Sequence, residues 1–219
     1  MGVTTPRRQR REREKRDKHR RHRQMPHGRR RAPGWLMPAA VVGALVLGIF
    51  ALRAAGVFDP PPRTADINLV PEPAQPLGTR LPDEGNAHVP TGQRATYNTI
   101  PPASGPHWAQ PAAPAPWGVK DGKLPDEVTV HNLEHGGVVI SYNGLAASEV
   151  DLLRSLVRNF LNTQFRKIIL QPYPELTDAK IAVTAWRWQL KLQSVDEVQI
   201  AQFVRARHSS PEAPEPNAR

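Results

Sequence analysis

The sequence predicts an α+β fold carried on a membrane anchor. Its parts are a disordered basic N-terminal tail, one transmembrane helix, a Pro-rich spacer, and a small domain. That domain is expected to have a mainly antiparallel sheet and two helices, in the order β-β-α-β-β-α. Three observations carry the prediction. Residues 1–34 hold fourteen of the 30 Lys/Arg but only three of the 20 acids. A seventeen-residue run without charge, Leu36 to Leu52, follows directly. Beyond residue 83, β-branched runs alternate with stretches of helical period, the order expected of a layered α+β domain.

The tail, residues 1–34, carries a net charge of +11, and the remaining sixteen basic and seventeen acidic residues bring the total to +10. The high isoelectric point therefore belongs to the tail and not to a folded surface. With almost no apolar side chains, the tail cannot offset the entropy of ordering and is expected to be disordered. Beside a membrane span such a block attracts anionic lipid headgroups, each basic residue contributing about 1 kcal/mol near the surface. No nucleic-acid partner is expected, because no reader module or aromatic platform accompanies the charge. The sequence names no protein partner.

Residues 35–57 are expected to form the transmembrane helix. At about 1.5 Å per residue the charge-free run sits at the short end of a bilayer span. Trp35 adds an interfacial ring, Arg53 a cation able to snorkel, and Pro38 falls in the tolerant first turn. A buried core helix fits less well, since the run has no polar face. A cleaved signal peptide fits less well too, because more than thirty residues precede the run. The Lys/Arg bias places the N-terminus in the cytoplasm and the C-terminal domain outside the cell membrane. The chain has no cysteine, which suits an exported domain without disulfides.

Residues 58–82, with seven prolines between Asp59 and Pro82, suit a stiff spacer. The domain is expected over 83–208. Its Pro-rich lead offers one short strand candidate, Gln93 to Asn98. Glu127 to Asn132 and Val138 to Asn143 are β-branched runs joined by Leu133–Gly137 (LEHGG), the pattern of a hairpin. Ser148 and Asp151 open a helix carrying Val150, Leu153, Leu156, Val157, Phe160 and Leu161 as far as Gln164. Lys167 to Gln171 is a strand stopped by Pro172 and Pro174. Ile181 to Trp188 is another, with Trp186 and Trp188 on one face. Ser194 and Glu197 open a second helix that ends near Arg207. Residues 209–219 are expected to fray as a disordered tail.

Four histidines of the domain, His88, His107, His131 and His135, together with Glu134, are the candidate ligands of a divalent transition metal such as zinc or copper. Imidazole suits Zn(II), Cu(II) and Ni(II). All three methionines, Met1, Met25 and Met37, precede or enter the span, which argues against a Cu(I) thioether site. His131 to His135 also matches H-x-x-E-H, in which two histidines bind zinc and the glutamate acts as base. That chemistry needs a helix. Between Val128-Thr129-Val130 and Gly136-Gly137 the sequence favours a strand, which would hold the two rings roughly 13 Å apart. The alternative is a non-catalytic envelope interaction module in which His131 donates to a backbone carbonyl and Glu134 or His135 braces a turn. Ser104 and His107 have the types of a nucleophile and base, but no strand-turn-helix elbow surrounds the serine. No catalytic residue is assigned, and binding is favoured over an enzyme.

The strings TYNTIPPASGPHW (Thr96 to Trp108), PAPWGV (Pro114 to Val119) and LPDEVTVHNLEHGGVVISYN (Leu124 to Asn143) resemble the bacterial domain-of-unknown-function family 3105. The resemblance is strongest from about Glu84 to Asn143. It implies a membrane-anchored or exported protein and points to His107, His131, Glu134 and His135, with His88 upstream. It supplies no activity.

Overall fold

The structure, a computed structural model, describes residues 70–71 and 73–218. The basic tail and the expected span over 35–57 lie outside them. Among the described residues no helix is long and apolar enough to cross a membrane. Four two-residue strands come first: β1 (Thr79–Arg80), β2 (His88–Val89), β3 (His107–Trp108) and β4 (Gly118–Val119). Then follow α1 (Asp126–Glu134), β5 (Val138–Tyr142), α2 (Ala147–Leu161) and β6 (Ile168–Pro172). The chain continues with β7 (Ile181–Ala185), β8 (Trp188–Leu192) and α3 (Glu197–Arg207).

Six strands form one mixed sheet in the order β1-β8-β7-β5-β6-β4. The pairs of β6 with β5 and β4 are parallel, and the other three pairs are antiparallel. The α+β class therefore holds, with three helices among the described residues. The parallel β5–β6 pair requires a crossover, which α2 supplies.

The two-residue period of the strands decides what each face buries. Val138, Ile140, Ile168 and Leu170 pack with Leu153, Leu156, Val157 and Phe160 of α2 and with Ile200, Phe203 and Val204 of α3. Val139 and Ile169 face the opposite way and pack with Val130 and Leu133 of α1 and with Trp186. The sheet is thus a central layer with α1 on one face and α2 and α3 on the other. Truncating a fully buried leucine such as Leu156 to alanine would cost about 2–5 kcal/mol.

Several expectations are corrected. Glu127 to Asn132 is helix, not strand. Pro125 precedes α1, Asp126 and Glu127 lie in its first turn, where carboxylates favour the positive end of the helix dipole, and Glu127 through Glu134 are all buried. Burial on the sheet outweighs the β preference of Val128-Thr129-Val130. Leu133–Gly137 accordingly makes no hairpin loop. Gly136 (φ 76) donates to Leu133 O and Gly137 to Asn132 O, a Schellman stop that turns the chain from α1 into β5.

Ile181 to Trp188 breaks after Ala185. Arg187 adopts φ 61, Ala185 pairs with Trp188, and Trp186–Arg187 becomes the loop of a hairpin. Trp186 consequently joins the α1-side cluster, whereas Trp188 packs against the other. Gln93 to Asn98 forms no strand, because the Glu127 carboxylate binds the Ala95 N–H at 2.9 Å and Arg94 Nη1 at 3.1 Å. Instead, β2 and β3 form a short parallel ladder.

The packed region also exceeds 83–208. Val70 is 6% exposed, and its carbonyl accepts from Arg205 Nη1 at 2.7 Å. At the other end, residues 209–218 pack where fraying was expected. Ala213 is 4% exposed, and Glu215 N donates to Glu134 O at 3.0 Å. Backbone hydrogen bonds hold this segment without the apolar content that the expectation demanded.

Candidate metal centre

The β2–β3 ladder pairs His88 with His107, so the two rings project from neighbouring positions of one face. Helix α1 supplies the rest. Its 3.6-residue period puts His131, Glu134 and the cap residue His135 on one side, three and four positions apart. Ring centroids of His88, His107 and His131 lie 4.7, 5.2 and 5.0 Å apart, and that of His135 is 4.7 Å from His131.

All five residues selected from the sequence come together. One ligand atom each from His88, His107, His131 and Glu134 falls within 4.8 Å of the others. Glu134 Oε2 lies 2.9 Å from His107 Nε2 and 3.6 Å from His88 Nε2. His131 Nε2 lies 3.1 Å from His135 Nε2. A tetrahedral zinc ion with bonds of about 2.1 Å spaces its ligand atoms by about 3.4 Å, within the range of these separations.

Hydrogen bonds to backbone carbonyls fix the tautomers. His107 Nδ1 contacts Gly105 O at 2.9 Å, and His131 Nδ1 contacts Trp108 O at 2.6 Å. A carbonyl oxygen only accepts, so both Nδ1 atoms carry the proton. In the neutral rings, both Nε2 lone pairs then point bare into the cluster. This is the outer support that ligating histidines use to hold tautomer and orientation. The expected bracing of His131 by a carbonyl is therefore present, but through the nitrogen facing away from the cluster.

Burial, above all, lowers the pKa of His131 and of His135 and favours their neutral, ligand-competent forms. His107 is fully buried and Glu134 is 2% exposed, whereas the His88 side chain is 46% exposed and opens the cluster to solvent. Asn86 Nδ2 donates to Glu134 Oε1 at 3.3 Å.

The serine is not part of the site. Ser104 Oγ accepts from Glu84 N at 3.1 Å, and its spacing from His107 makes no dyad. Sequence reasoning missed Glu215. Its Oε2 lies 3.3 Å from His135 Nε2, and Glu134, His135 and Glu215 form a second group of ligand atoms within 4.8 Å of one another. An acid in a Pro-rich terminal stretch carries no local signal of such a role.

Among known proteins, the family described as "Protein of unknown function (DUF3105)" matches residues 88–219. The matched span includes every residue of both groups. No curated protein and no solved structure matches the chain.

Proposed function

The chain belongs to the DUF3105 family, and we propose that its domain binds a divalent transition-metal ion through His88, His107, His131 and Glu134, with His135 at the edge. One observation carries this. Two imidazoles whose Nδ1 protons are committed to Gly105 O and Trp108 O aim their Nε2 atoms, bare in the neutral rings, at a cluster containing a carboxylate 2% exposed. With the ring neutral, the two facing acceptors at 2.9 Å repel unless a second proton or a metal ion lies between them. Three imidazoles and one carboxylate suit Zn(II) or Cu(II). With residues 35–57 as a single N-in span, the ion would be held on the outer side of the cell membrane.

A second reading is a zinc hydrolase, favoured by the placing of H-x-x-E-H on helix α1. It requires an ion with an open position and a carboxylate free to act on bound water. Glu134 instead contacts His107 and His88, so binding is the better supported function. A third reading keeps the histidines as braces and predicts no uptake.

The test uses the full chain in detergent, stripped with chelator and dialysed against Zn(II) or Cu(II). Bound ion measured by mass spectrometry should reach at least one per chain and fall by one in His107→Ala and in His131→Ala. Failure of the folded wild-type chain to take up either ion would refute the proposal. Circular dichroism confirms folding.

A further inference from the structure

Building on the metal-binding reading, we infer a second divalent-ion position beside the first, formed by Glu134, His135 and Glu215, with the Glu134 carboxylate bridging the two ions. The first position is complete without His135. His88, His107, His131 and Glu134 already supply the four ligands that satisfy a tetrahedral ion. His135 and Glu215 remain, and their ligand atoms lie within 4.8 Å of a Glu134 oxygen and of each other.

The contacts of His135 accommodate a cation there. Its Nε2 stands 3.1 Å from His131 Nε2, the ligand atom of the first position, and 3.3 Å from Glu215 Oε2. With the His131 lone pair taken by the first ion, Glu215 Oε2 is the group that His135 Nε2 faces. His135 Nδ1 is buried with no hydrogen-bond partner, so no contact there fixes a proton on Nδ1 or Nε2. A divalent ion accepting the His135 lone pair and the Glu215 carboxylate would satisfy both groups. Carboxylate-bridged pairs of ions about 3.5–4 Å apart are an established arrangement for binding and activating oxygen ligands.

Glu215 is brought there by backbone anchors and not by its own charge. Its N–H donates to Glu134 O at 3.0 Å, and Ser209 N donates to Gly136 O at 2.8 Å. Lys167 Nζ donates to Pro216 O at 2.8 Å, to Ala218 O at 2.6 Å and to His135 O at 2.8 Å. The C-terminal segment is thereby strapped to the end of α1, and the Glu215 side chain, 52% exposed, leaves the position open to solvent.

The experiment counts Zn(II) bound to the full chain after chelator stripping and dialysis. The wild type should bind two ions and Glu215→Gln one, the second ion weakened at least about a hundredfold by loss of a ligand. Because its anchors are backbone groups, Glu215→Gln keeps the fold. Cu(II)-loaded wild type should show spin coupling between paired ions by electron paramagnetic resonance, and the variant an isolated Cu(II). One ion in the wild type overturns this inference and leaves the first position standing. Two ions in Glu215→Gln overturn it as well. No ion in the wild type overturns both readings.

Discussion

His107 Nε2 faces Glu134 Oε2 at 2.9 Å while Nδ1 of the same ring donates to Gly105 O. The ring cannot turn to offer its proton to the carboxylate without abandoning a buried carbonyl. With the ring neutral, the fold holds two acceptors together inside the protein, where an unmet pair is costly and either a second proton or a metal ion relieves it. A ligand site and a structural brace give opposite predictions for this contact.

Glu134→Gln separates them. The amide matches the carboxylate in size and can donate from its nitrogen to the bare Nε2 of His107. In chelator the variant should be as stable as wild type or more so, by about 1 kcal/mol. Its affinity for Zn(II) should fall at least about a hundredfold. Thermal melts with EDTA and with Zn(II) measure both. A lower melting temperature in EDTA combined with an unchanged zinc response would identify Glu134 as a brace.

Zinc should also stabilise the wild-type domain by linkage. Free ion at a hundred times its dissociation constant adds about 2.7 kcal/mol, which raises the melting temperature of a domain of this size by roughly 5–10 °C. EDTA should remove the rise, and His107→Ala should show a smaller one. An equal rise in His107→Ala would locate the ion elsewhere.

How much of this was legible divides along the two faces of the sheet. Helix α2 followed from the spacing of Leu153, Leu156, Val157 and Phe160, because a half-exposed helix writes its period into the sequence. Even there the start was misplaced: the helix begins after Ala146, whose N–H is bound by Glu149 Oε2 at 2.9 Å. Helix α1 is buried from Glu127 to Glu134 and so has no polar face to betray it. Its ends were nevertheless written, Pro125-Asp126-Glu127 at the start and Gly136-Gly137 at the stop. Giving those signals more weight than three β-branched residues would have placed His131 and His135 on one helix face. The ligand types were legible from chemistry alone. Glu215 was not, since its position depends on Lys167 and on backbone contacts that no local pattern encodes.

Stability should fall in mild acid because of His208. Its Nε2 accepts from Lys167 N at 3.1 Å, its ring packs edge-on against Phe165, and burial pushes its pKa down to about 4. Between that value and the ordinary 6.5, the unfolded chain binds a proton that the folded chain refuses. The contribution is therefore complete above pH 6.5, shrinks as pH drops, and levels off near pH 4. It amounts to about 1–3 kcal/mol in all. Denaturant midpoints across this range should show the slope, and His208→Gln, which keeps an acceptor but cannot titrate, should lessen it. An identical slope in the variant would assign the effect to other groups.

Gly137 has no room for a side chain. A Cβ there would sit 2.5 Å from the Trp117 ring and 2.7 Å from Asn132 O. Asn132 exchanges two hydrogen bonds with Ala115, at 3.0 and 2.8 Å, so the loop before β4 is tied to this point. Gly137→Ala should cost about 1–3 kcal/mol by overpacking and quench or shift Trp117 fluorescence. A loss under 0.5 kcal/mol, roughly the scale of a surface change, would mean that Trp117 moves aside freely.

Lys167 controls the strap that carries Glu215. Its ammonium is held by the carbonyls of His135, Pro216 and Ala218, and burial lowers its pKa. Lys167→Met keeps most of the apolar stem but removes all three charge-assisted bonds, each worth about 1.5–3 kcal/mol before solvent compensates the freed carbonyls. The sheet core and the four ligands of the first position contain no part of this strap. Amide hydrogen exchange at Ser209 and Glu215 should accelerate by roughly 10²–10³-fold, while exchange in β5 and β7 stays near wild type. The same variant should lose one of two bound zinc ions, because Glu215 leaves with the segment. Unchanged exchange at Glu215 would show that its bond to Glu134 O suffices to hold the strap. Accelerated exchange with both ions retained would show that the second ion does not depend on Glu215.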